Sequence, residues 1–84
     1  MELSKPTKLL ATGKVLELLG VSRSSLDKLG QDGKFPKPLR VVKNRNSWPD
    51  SEVRMMILVF SSDASDDVIK SKVKEIEEAR KGLI

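Results

Sequence analysis

Two short amphipathic patterns joined by Gly20-Val21-Ser22, a basic turn soon after them, and a longer amphipathic stretch near the C-terminus predict a mainly α-helical fold. Their layout is a winged helix-turn-helix: two short helices, a small β-hairpin wing and a third helix over residues 9–60, then a C-terminal helix over residues 66–82. The 84 residues suit one small domain, and 38% apolar against 33% charged residues is a folded rather than a disordered composition.

Residues 1–8 read as a loose arm in which Lys5 and Lys8 are available to phosphate, and Leu9-Leu10-Ala11 as a short extended piece on the core. Thr12 is placed to cap a first helix that runs to Leu19 and stops at Gly20, a residue suited to the left-handed terminator. Val15, Leu18 and Leu19 are expected on its inner face. Ser22 caps the second helix, whose Leu26 and Leu29 point inward; Gly30 weakens it and Gly33 ends it. Phe35-Pro36-Lys37-Pro38 cannot be helical, because alternate prolines remove donors and bias their neighbours to extended forms. Leu39 to Val42 then reads as a strand, Lys43-Asn44-Arg45 as a tight turn, and Asn46-Ser47-Trp48 as the returning strand, with Trp48 closing onto the core.

Asp50 or Ser51 is expected to cap the third helix, which carries Val53, Met56, Ile57 and Phe60 as an i, i+3, i+4, i+7 stripe. Met55, Leu58 and Val59 make its end apolar nearly all round, so a second face needs a cover. Ser65 with Asp66 and Asp67 starts the fourth helix, where acids suit the helix dipole. Its apolar positions, Ile69, Val73, Ile76 and Leu83, either fold back on the third helix or dock against a second copy.

Charge is unevenly placed. Residues 1–49 carry +6 and residues 50–84 carry −2, for a net +4, so the front half favours an anionic partner. The absence of histidine and cysteine removes the commonest general base, metal ligand and thiol nucleophile. Gly13-Lys14 and Gly33-Lys34 lack the rest of a phosphate-binding loop. These features argue against an enzyme and against a bound cofactor, metal or small-molecule substrate. No apolar run is long enough to span a membrane, and the N-terminus lacks the apolar stretch of a signal peptide, so a cytoplasmic protein is expected.

A major groove admits one helix, provided that helix is exposed on one side and carries groups for phosphates and base edges. Residues 22–28 meet that description. Arg23 suits a guanine edge or a phosphate, Ser24 and Ser25 donate or accept, and Lys28 suits a phosphate. Asp27 repels phosphate, so it either accepts from a cytosine amino group or orients Arg23. On the wing, Arg40, Lys43, Asn44, Arg45 and Asn46 are the expected contacts.

The run from Gly13 to Val41, followed by Ser47-Trp48-Pro49-Asp50-Ser51-Glu52-Val53, resembles AlpA-type phage regulators, close to the excisionases of the MerR-like winged helix group. The resemblance rests on Val15-Leu16, Gly20 to Ser24, Gly33 to Pro38, Trp48 and Ser51-Glu52-Val53 in that order, and covers roughly residues 9–58. It implies a small DNA-binding protein of a prophage or mobile element that regulates transcription, directs an integrase toward excision, or both. It also implies that the second helix enters the major groove, with Ser22, Arg23, Ser24 and Lys28 matching the family's recognition helix and Arg45 approximately matching a wing arginine. The chain departs from the family at Asp27, where an aromatic residue is usual, at Gly30, where a large apolar one is usual, and in a wing one residue short.

The expected partner is therefore double-stranded DNA, with an integrase or a second copy meeting the C-terminal helix. The alternative is a protein-interaction module, an antirepressor or dimerising adaptor, with a degenerate DNA-binding face.

Overall fold

The computed structural model describes residues 8–41 and 43–81. The expected contact at Lys5, Val42 of the expected strand, and Leu83 of the apolar stripe lie outside the described residues. Six elements follow in order: β1 (Leu9–Ala11), α1 (Thr12–Leu19), α2 (Arg23–Gln31), β2 (Ser47–Pro49), α3 (Asp50–Ser61) and α4 (Asp66–Lys81). This is the mainly helical winged helix-turn-helix with a C-terminal helix that the sequence predicts.

The strand pairing differs in detail from the expected hairpin. β2 pairs antiparallel with β1, Leu10 opposite Trp48, rather than with residues 39–42. The first arm of the wing joins only at Leu39, which exchanges both backbone hydrogen bonds with Ser47 at 2.7 and 2.9 Å. The cause lies in the preceding prolines and in burial. Pro36 and Pro38 withhold two donors, while Leu10 on β1 is partly buried against the core and Val41 is left 67% exposed.

α1 begins directly from β1. Extended backbone runs through Ala11, which occupies the N-cap position without a side-chain cap, so Thr12 is the first helical residue and not the cap. Val15 is fully buried, and Leu16 and Leu19 pack against the core. Leu18 is 39% exposed, contrary to expectation. At about 100° per residue the inward face is centred between Val15 and Leu16, which includes Leu19 and turns Leu18 away. Gly20 ends the helix in the left-handed region, φ 71°, its N–H bonded to the Leu16 carbonyl at 2.8 Å.

α2 starts as its sequence specifies: the Ser22 hydroxyl accepts from the Ser25 N–H at 3.2 Å. It runs through Gly30 to Gln31 and closes with a Schellman motif. Gly33, at φ 76°, donates to the Gly30 carbonyl, and Lys34 donates to the Leu29 carbonyl at 2.8 Å.

The core gathers Val15, Leu26, Phe35, Trp48, Val53, Met56, Ile69, Val73 and Ile76. Phe35 meets Trp48 edge-on, ring centres 5.9 Å apart, and the buried Trp48 indole N–H donates to the Pro36 carbonyl at 2.9 Å. That bond fixes the irregular segment 35–38 to the base of the wing.

α3 starts without a side-chain cap, because Pro49 takes the N-cap position and the Asp50 carboxylate is drawn to the Arg54 Nε at 2.7 Å. Neither Asp50 nor Ser51 is therefore the cap. α4 starts as expected, the Val68 N–H donating to the Ser65 hydroxyl at 3.3 Å. It lies against α3 and the proline segment. Arg80 grips Glu52 with two hydrogen bonds of 3.0 and 2.6 Å, Glu77 accepts the Lys37 N–H at 2.9 Å, and Asp66 pairs with Lys34 at 3.2 Å.

Candidate nucleic-acid interface

The start of α2, the start of α1 and the wing surround one open groove of about 740 Å³. Each wall arrives there for a local reason. Ser22 caps α2, so Arg23 is its first helical residue and projects from its end. β1 leads straight into α1, which brings Thr12 and Gly13 to the same wall. The Leu39–Ser47 pair closes the wing, and Asn44 turns its tip at φ 64°. Within the wing the Arg40 Nε donates to the Asn46 Oδ1 at 3.3 Å, and both residues line the groove.

Arg23, Arg40, Asn44, Arg45 and Asn46 all line this groove. No acidic residue does, and among the described residues none of the three arginines has an ion-pair partner. Three guanidiniums that share a wall without a counter-charge form a positive, solvent-open trough. That arrangement accepts polyanions, since guanidinium matches phosphate oxygens in a planar fork.

Arg23 and Asn46 also line a second groove, of about 280 Å³, between α2 and the proline segment. Its floor is apolar, with Leu26, Phe35 and Trp48, and its rim carries Asp27, Gln31 and Lys37. Asp27 is exposed and makes no hydrogen bond or ion pair with another described residue, so it does not hold Arg23.

The remaining sequence-predicted residues stand outside both grooves. Ser22 spends its oxygen on the cap, and its hydroxyl also donates to the Ser25 Oγ at 3.0 Å and meets the Ser24 Oγ at 3.2 Å. Lys28 lies 3.9 Å from Asp32 on the exposed face, and Lys43 is exposed beside the wing tip. Several wall residues escaped the sequence reading as contacts, among them Thr12, Gly13, Gln31 and Lys37. Gln31 was legible as the position eight residues after Arg23 and four after Asp27 on one helix face. Thr12 and Gly13 carried the signal of a first turn without acids. Nothing in the local sequence marks Lys37, which is placed by α4 through Glu77.

Fold and site together define a winged helix-turn-helix protein with a basic face built from the second helix and the wing. The chain belongs to the family of the prophage CP4-57 regulatory protein AlpA, which matches residues 8–57 and so includes both walls of the basic groove. It is thus a regulatory protein of phage type. No curated protein and no solved structure matches it significantly. No helix among the described residues is long and apolar enough to cross a membrane.

Proposed function

We propose that the chain binds double-stranded DNA sequence-specifically, as a transcriptional regulator of a prophage or mobile element, an excisionase (recombination directionality factor), or both, in the bacterial cytoplasm at the nucleoid. The observation that carries this reading is the acid-free groove in which Arg23 of α2 stands with Arg40 and Arg45 of the wing. α2 presents its outward face to the major groove, and the wing arginines meet the flanking backbone. Ser22, Ser24, Ser25, Lys28 and Lys43 border this surface; Ser22 shapes the helix start, and the two lysines add phosphate attraction.

The test is a titration of labelled duplex DNA from the host element at two salt concentrations. Saturable binding that weakens steeply with salt supports the proposal, and Arg23→Ala should cost about 1–3 kcal/mol at a cognate site. Binding that is absent at low salt, or indifferent to Arg23, refutes it. An integrase gene beside this one would favour the excision role over transcription alone.

A second reading, a protein-interaction module, is favoured by one observation: Met55 and Leu58 on α3 and Val68 on α4 are large apolar residues left 40%, 70% and 54% exposed. On this reading a second copy or an integrase covers that flank. Sedimentation showing a monomer that still binds an operator would remove the second copy.

A further inference from the structure

We infer that α2 reads bases with three residues in line, Arg23, Asp27 and Gln31, and that Asp27 selects cytosine while Gln31 selects adenine. The inference rests on the proposed binding of duplex DNA and goes beyond it to the sequence read.

The three residues stand at i, i+4 and i+8 of one helix, and all three line the groove between α2 and the proline segment. Thr12, Arg23 and Asn46 line both this groove and the guanidinium trough. With α2 in the major groove, as proposed, Asp27 and Gln31 are carried to base edges beside Arg23. Gly30 lines the same groove, and a Cβ there would meet nothing within 4 Å, so no neighbouring element packs on that part of the helix.

The chemistry of Asp27 decides its role. A carboxylate only accepts, and phosphate oxygens offer it nothing but repulsion. With no partner among the described residues, its lone pairs are available, and the donor in the major groove that carboxylates accept from is the cytosine N4 amino group. The Gln31 amide has a donor and an acceptor side by side, which match N7 and N6 of adenine; the Arg23 fork matches O6 and N7 of guanine. Eight residues of helix rise about 12 Å. At about 3.4 Å per base step, the three contacts fall within about four successive base pairs.

The experiment is selection from a randomised duplex library with the full chain, followed by sequencing, for the wild type, Asp27→Asn and Gln31→Ala. Both residues are exposed, so thermal melts of the variants should match the wild type. The wild type should enrich guanine, cytosine and adenine within a four-base-pair window. Gln31→Ala should lose the adenine preference alone, by about 5- to 160-fold, the span of one bidentate base contact. Asp27→Asn should switch cytosine to adenine at its position, because an amide pairs with adenine, and should bind random duplex more tightly at low salt. Unchanged base preferences in both variants overturn the inference. So does a wild type that binds duplex without any preference, and that result leaves duplex binding itself standing. A wild type with no salt-dependent binding to any duplex sinks the DNA reading and this inference together.

Discussion

The wing arginines give the DNA reading a quantitative test. Arg23, Arg40 and Arg45 share one groove, and none has an ion-pair partner among the described residues. If each neutralises one phosphate on a random-sequence duplex, where Arg23 has no cognate guanine to read, log K should fall against log salt with a slope of about −2.7, at about −0.9 per phosphate. A rise from about 50 to about 200 mM salt then weakens binding about 40-fold. Arg45→Ala removes one contact and leaves the others, so its slope should be about −1.8 and its loss over the same range about 12-fold. Arg45 is exposed at the wing tip, so the substitution leaves the core alone. Fluorescence anisotropy with a random-sequence duplex is sufficient, because phosphate contacts carry no sequence information. A wild-type slope near zero, or an Arg45→Ala slope equal to the wild type's, would refute the assignment of this groove to the DNA backbone.

Three stability predictions follow from the packing. Gly30→Ala should stabilise the chain by about 0.5–1 kcal/mol in urea unfolding, since the added methyl meets open space in a helix. Trp48→Phe should cost about 1–3 kcal/mol, because it leaves the Pro36 carbonyl without its donor in a buried place. Arg80→Ala should cost about 1–3 kcal/mol, as expected for a charged hydrogen-bonded pair with limited access to water; Glu52, with 13% of its side chain exposed, then loses both hydrogen bonds from Arg80. The matching check is a double-mutant cycle with Glu52→Gln, in which additive effects would mean that the pair contributes nothing.

Most of the fold was legible because its stops and starts are chemical. Gly20 and Gly33 take left-handed backbone, and Ser22 and Ser65 cap the helices that follow them. Each of these signals acts over three or four residues and needs no tertiary knowledge. The misreadings sit where a distant partner decides. Thr12 lost its cap role because Ser47, 35 positions on, holds Ala11 in a strand. Of residues 39–41 only Leu39 pairs, on the edge of β2 opposite to β1, and Val41 is left exposed. Asp50 was drawn from capping by Arg54. At the candidate site the same rule holds. Arg23 and the wing residues were marked by charge and by position after a turn. Lys37 reaches the second groove through a contact with Glu77, 40 residues away, that no local pattern displays.

The position of α4 connects the two functional readings. The family match ends at residue 57, yet Ile69, Val73 and Ile76 lie beyond it and are buried with the six core residues inside it. At about 1.5–3 kcal/mol for each buried aliphatic side chain, these three contribute about 5–9 kcal/mol, comparable with the whole net stability of a small domain. The inner face of α4 is therefore spent on its own chain, and on the second proposed reading a partner would meet the exposed Val68 of α4 or Met55 and Leu58 of α3. The same helix holds Lys37 through Glu77 and Lys34 through Asp66, which fixes the segment walling the Asp27–Gln31 groove. A partner seated on α4 thus rests on the element that positions part of the proposed DNA surface. On the two proposed readings taken together, a shift of α4 is the route by which a partner's binding would be felt at the DNA surface.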